Sequence, residues 1–125
     1  MGWDAYSSAD LRDKATKLAF ELASKRVIDQ CGSVDGSLET GGLGMSLSAK
    51  MLETASLRTK GDLLGFWFHP YQDDQVLPDQ AKSLSENLNW DFEYEIPKDE
   101  RWAYWSAKEF VSTCAVLGLE IRFSY

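Results

Sequence analysis

One histidine, His69, and two cysteines, Cys31 and Cys114, are all the chain has of the side chains that most often hold transition metals. Zinc and non-haem iron sites generally need more such ligands. Asp73 and Asp74 near His69 do not supply them, and no metal is expected. The cysteines stand far apart and outside any Cys-x-x-Cys arrangement, which predicts reduced thiols rather than a disulfide framework. A Ser-His-Asp device would have to run through His69, and no Gly-x-Ser-x-Gly turn accompanies it. No window approaches the roughly 20 apolar residues that cross a bilayer. The first fourteen residues are polar and acidic, without the basic-then-apolar order of a secretory leader. Tyr6 stands where a myristoylated chain would carry Ser or Thr. The expectation is a cytoplasmic protein with no membrane association.

Lysine is missing where phosphate chemistry would need it. Gly36-x-x-x-x-Gly41 has the spacing of a phosphate-binding loop, but Gly42 follows instead of Lys. Gly42-x-Gly44 begins a dinucleotide fingerprint without its third glycine or a preceding strand. Asp35-Gly36 resembles the turn of a calcium loop whose first and twelfth positions are Cys31 and Gly42, neither of them a ligand for calcium. Backbone turning is the plainer role for these glycines, and no cofactor is expected. Glu93 and Glu95, if on one face of a strand, would stand about 7 Å apart, a separation glycoside hydrolysis can use. Carboxylates are too common here for that spacing to carry weight, so no catalytic residue is assigned and the protein is expected not to be an enzyme.

What the chain does have is a core and a localised charge. A hydrophobic fraction of 44% with five tryptophans in 125 residues suffices for one folded domain, which buries roughly two-thirds of its unfolded surface. The net charge is −7, with 20 acids and 13 bases. Residues 1–60 balance, residues 61–100 carry ten acids against two bases, and residues 101–125 are net +1. That excess repels phosphates and attracts basic surfaces. Direct nucleic-acid binding, which needs clustered Lys and Arg, is not expected.

Periodicity predicts an α+β fold, three to four helices packed on a small β-sheet. Ser7-x-x-Asp10 has the form of a capping box. Leu11, Ala15, Leu18 and Leu22, with Ala19 and Ala23, then recur at helical spacing, predicting a helix over 8–30. Gly32 to Gly44 reads as a long loop. A second helix is predicted at about 46–59 through Leu47, Met51, Leu52 and Ala55, and a short one at 79–88 through Ala81, Leu84 and Leu88. Residues 63–68 fit a buried strand or an apolar loop, with Pro70 and Pro78 beyond. Asp91-Phe92-Glu93-Tyr94-Glu95-Ile96 alternates as a half-buried strand should. Pro97, Asp99 and Glu100 suit the start of a helix ending at Gly118, with Ala103, Ala107, Phe110, Cys114 and Leu117 inside. Trp102, Tyr104 and Trp105 cannot all face one core, since positions 102 and 104 diverge by about 200°. Leu119, Ile121, Phe123 and Tyr125 complete a C-terminal strand.

Gly2-Trp3-Asp4-Ala5-Tyr6-Ser7, Val34-Asp35-Gly36, Gly41-Gly42-Leu43 and Ile121-Arg122-Phe123-Ser124-Tyr125 together resemble small accessory proteins of tailed phages and prophages. The resemblance implies company rather than chemistry. Such proteins often bind host proteins, some as inhibitors of nucleic-acid-targeting defence systems. The expectation is therefore an acidic inhibitor, anti-CRISPR-like or immunity-like, that occupies a basic nucleic-acid-binding surface of a host or defence protein. Its partner-binding residues would be Asp91, Glu93 and Glu95, with Asp73, Asp74, Asp79, Asp99 and Glu100 around them. The alternatives are a small-molecule or nucleotide binder using the Gly36–Gly44 loop, and a phage structural or assembly component.

Overall fold

The computed structural model describes residues 4–59, 61–64 and 75–124. Trp3, Trp67, His69, Asp73 and Asp74 lie outside the described residues, as does most of the 63–68 apolar run. In chain order the elements are β1 (Asp4–Ser7), α1 (Lys14–Cys31), β2 (Gly42–Leu43), α2 (Ser46–Leu57), a single turn α3 (Gly61–Leu64), β3 (Gln75–Val76), α4 (Pro78–Asn87), α5 (Arg101–Leu117) and β4 (Ile121–Ser124). The sheet is antiparallel throughout, in the order β2-β1-β4-β3. This is the expected α+β architecture.

The sheet buries one face. Ala5 pairs with Leu43 and Phe123, and Ile121 pairs with Val76, and all five are buried. Tyr6, Arg122 and Gln75, one residue out of phase, are exposed, as a period of two requires. Gly42 sits against β1 so closely that a Cβ there would meet the Ala5 carbonyl oxygen at 2.8 Å. Only glycine lets β2 approach. Helix α5 is the hub on which α1, α2 and α4 pack. Its line of Ala103, Ala107, Phe110 and Cys114 is fully enclosed, and Gly118 stops it in the left-handed region at φ 66°.

Three sequence expectations need correction. The 91–96 segment is not a strand. Asn89 Oδ1 accepts from the Asp91 amide at 3.0 Å, turning the chain, and Glu93–Glu95 forms a 3-10 turn. Its amide bonds close locally, Glu95 to Phe92 and Ile96 to Glu93. Phe92 and Ile96 are buried while Tyr94 is 86% exposed, so the apolar pair is spaced as one helical turn and the alternation is incidental. The first helix begins at Lys14 rather than residue 8. Asp13 is its cap, its carboxylate accepting from the Thr16 amide at 3.3 Å and hydroxyl at 2.6 Å. The residues ahead of it supply β1, a central strand that sequence periodicity did not reveal. The buried face of α1 is Thr16, Phe20, Ala23, Ser24 and Val27, whereas Leu11, Leu18 and Leu22 are exposed.

Candidate functional site

The acidic residues nominated from sequence divide into two described groups. Asp79 opens α4 just after β3, beside β4 and the C-terminal end of α5. Asp91, Glu93, Glu95, Asp99 and Glu100 cap the other end of α5. A helix of 17 residues spans about 25 Å, so Asp79 does not share a face with the others. The 91–100 cap is the one place where the structure gathers five of the eight.

The cap is held from behind by aromatics. Phe92 and Tyr104 meet edge to face with ring centroids 5.2 Å apart, Trp90 and Tyr104 at 5.5 Å, and Tyr104 and Trp105 at 5.3 Å. Such pairs add about 0.5–1.5 kcal/mol each beyond area burial. The Tyr104 hydroxyl donates to the Trp90 carbonyl. Burial pushes this phenol up from its ordinary value to about 12, with the Glu93 and Asp91 carboxylates adding to the shift. Thr59, just past α2, closes the hinge by accepting from the Asn89 amide at 2.7 Å.

Two of the five carboxylates are employed internally. Arg58, at the end of α2, grips Glu95 with two bonds of 2.7 and 3.0 Å and lies 5.0 Å over the Phe92 ring. The guanidinium holds the Glu95 carboxyl below its usual range. Glu93 turns inward and accepts from the Trp105 indole at 3.1 Å. The expected single face of Asp91, Glu93 and Glu95 therefore does not exist as three free charges. Asp91 is exposed and touches Arg58 only at 3.9 Å. Asp99 and Glu100 take no ion pair among the described residues.

What the cap presents outward is therefore Tyr94 at 86% exposure, with Arg101 stacked 5.4 Å from its ring centroid and Asp91, Asp99 and Glu100 around it. Sequence reasoning missed Tyr94 because strand alternation placed it inside. Behind it lies a cleft of about 420 Å³ lined by Cys31, Glu93, Lys98, Arg101 and Trp105. Burial, with Glu93 adding to it and Arg101 opposing, pushes the Cys31 thiol up, away from the thiolate that makes a cysteine reactive.

The glycine-rich loop is organised around Asp35, which is 1% exposed. Its carboxylate accepts from the amides of Ser37 at 3.0 Å, Gly44 at 3.1 Å and Met45 at 3.0 Å. Its own amide donates to Ser106 on α5 at 3.0 Å. An anion-binding loop offers convergent backbone N–H groups to a ligand. Here the chain's own carboxylate takes them.

Among the described residues no group of three or more His, Cys, Asp or Glu is arranged to hold a metal ion, and no helix is long and apolar enough to cross a membrane. By its fold the chain is an α+β protein with its helices gathered on one face of a four-stranded antiparallel sheet. No family model matches it, and no curated protein or solved structure does.

Proposed function

We propose that this is a small non-enzymatic binding protein, an inhibitor that docks the 91–100 cap on a basic, nucleic-acid-binding surface of another protein. The observation that carries the reading is Tyr94, exposed on a turn whose backbone is fixed by Arg58, Thr59 and the Trp90–Phe92–Tyr104 cluster. An aromatic with an arginine beside it is the composition of a binding hot spot, and here the turn that carries it is already held by the fold. Asp91, Asp99 and Glu100 then steer a cationic surface towards it. The resemblance to phage accessory proteins makes a host or defence protein in the cytoplasm the expected class of partner. The alternative, ligand binding by the Gly36–Gly44 loop, is weakened by Asp35, which fills the position an anion would take.

The test is capture from a host extract on immobilised protein, with a Tyr94→Ala/Asp99→Lys variant alongside. These two side chains make no contact that the core depends on, so the variant should fold. A basic nucleic-acid-binding protein retained by wild type, released as salt rises and lost with the variant supports the proposal. Salt should act because the screening length falls from about 10 Å at 0.1 M to about 3 Å at 1 M. Retention that is equal on both proteins, or capsid and tail proteins as the retained species, overturns it.

A further inference from the structure

One cleft holds charges of both signs that the fold leaves apart. It lies between the end of α1 and the start of α5, and its volume is about 420 Å³. That size falls among small-molecule sites, which span about 300–1,000 Å³. Cys31, Glu93, Tyr94, Lys98, Arg101 and Trp105 line it. Glu93 makes no ion pair with Lys98 or Arg101, and neither cation pairs elsewhere among the described residues.

Two of these groups are already held in place. Arg101 Nε donates to the Ile96 carbonyl at 3.3 Å, and the guanidinium stacks 5.4 Å from the Tyr94 ring centroid. Its terminal nitrogens take no hydrogen bond among the described residues. A guanidinium fixed in this way offers its fork to a carboxylate at little ordering cost. Glu93 is fixed by the Trp105 indole, which donates to Oε1 at 3.1 Å and leaves Oε2 open. The charges of Glu93 and Arg101 both reach the Cys31 thiol, with opposite effect, so they act on one spot.

We propose that this cleft binds a free α-amino acid, its ammonium on Glu93, its carboxylate on Arg101 and Lys98, and an apolar side chain along Trp105. The lining charges select a zwitterion. A purely anionic ligand would leave Glu93 unanswered and would meet Asp99 and Glu100 on the adjoining turn, in a chain of −7. A purely cationic ligand would face Lys98 and Arg101. An amino acid answers both signs with charge-assisted hydrogen bonds and brings no net charge to the acidic surroundings. Binding of a small ligand is tested on the purified chain without a protein partner, so its failure would leave the reading of the 91–100 cap intact.

The experiment is an NMR titration of the purified protein with each of the standard amino acids. It is read at the indole N–H of Trp105, identified as the signal lost in Trp105→Phe. The expected result is a saturable shift with at least one apolar amino acid, at a Kd of about 1 mM or tighter. Its amide, which lacks the carboxylate, and its N-acetyl derivative, which lacks the ammonium, should each bind at least about tenfold more weakly. These derivatives meet unaltered wild-type protein, so the result does not depend on a variant folding. Glu93→Gln keeps an acceptor for the indole and removes the charge. It should weaken the amino acid by a similar factor and leave affinity for the N-acetyl derivative unchanged. No saturable shift with any amino acid up to about 10 mM overturns the proposal. So does equal binding of the amide or of the N-acetyl derivative. A matching shift with acetate or phosphate alone would make the cleft a general anion site and overturns it equally.

Discussion

Helices α1 and α5 are nearly equal in length, 18 and 17 residues, and both show apolar side chains at helical spacing, yet only in α5 is the obvious stripe the buried one. The difference lies in their neighbours. Helix α5 is packed upon by α1, α2 and α4, so most of its circumference is enclosed and any apolar line along it finds a partner. Helix α1 lies at the edge and buries one narrow line. That line is chosen by size and fit. Phe20, with no exposure, fills the space beside Gly41, where a Cβ would come within 3.5 Å of its ring. Both leucines of α1, Leu18 and Leu22, lose the core position to Phe20, Ala23 and Val27. Periodicity identifies a helix; the neighbours decide which side of it is inside.

Truncation should separate the two helices most sharply. Phe110→Ala in α5 removes a fully buried aromatic and should cost about 3–5 kcal/mol in urea unfolding. Leu18→Ala in α1 should change stability by no more than about 0.5 kcal/mol, as surface substitutions do. Comparable losses at the two sites would mean that the outer face of α1 is packed in the native protein.

The next effect concerns the loop that joins α1 to the sheet. Asp35→Ala would leave the amides of Ser37, Gly44 and Met45 without their carboxylate partner. Unsatisfied buried donors cost about 1–3 kcal/mol each when water cannot reach them. Since Gly44 and Met45 are themselves exposed, a total near 3 kcal/mol is expected. A loss below about 1 kcal/mol would show that the loop holds its shape without Asp35.

These sites also show how far the sequence could be read. Helix α2, helix α4 through Ala81 and Leu84, helix α5 with Gly118 as its stop, and the Ile121–Phe123 alternation were all legible, because each carries its signal within a few residues. Strand β1 was not, since its four residues gain strand geometry only by lying between β2 and β4. The 91–96 segment misled because Phe92 and Ile96 satisfy a period of two and a one-turn spacing equally well. Asn89 at the bend was the signal that could have decided between them. In the candidate site the charge excess was legible. The removal of Glu93 and Glu95 from that surface was not, since their partners Trp105 and Arg58 are 12 and 37 residues away in sequence.

A smaller effect probes the end of α5 that carries the cap. Tyr104→Phe removes the donor to the Trp90 carbonyl and should cost about 1–1.5 kcal/mol at neutral pH. The phenol's pKa is raised on folding, from 10.0 to about 12. Its contribution is therefore complete below pH 10 and declines between pH 10 and 12, where the unfolded chain releases the proton and the folded one retains it. Urea midpoints at pH 8 and pH 11 should show the gap between wild type and variant narrowing. A gap that stays constant would mean that the phenol titrates alike in both states.

The smallest effect has the opposite sign and lies in α2, beside the hub. Ser48 is fully buried, and its hydroxyl has no hydrogen-bond partner among the described residues. Burying a hydroxyl without a partner forfeits its hydration, and serine is a weaker helix former than alanine. Against these stands the loss of one atom's contacts, a small term for an oxygen. Ser48→Ala should therefore stabilise the protein by about 0.5–1 kcal/mol, raising the thermal midpoint by about 2–4 °C for a domain of this size. The contrast with Phe110→Ala is informative, because both positions have no exposed surface, yet one truncation opens a cavity and the other removes a single unsatisfied oxygen. A destabilised Ser48→Ala protein would mean that the hydroxyl has a partner in solution. Truncation at both buried positions would then cost stability, and burial alone would rank them.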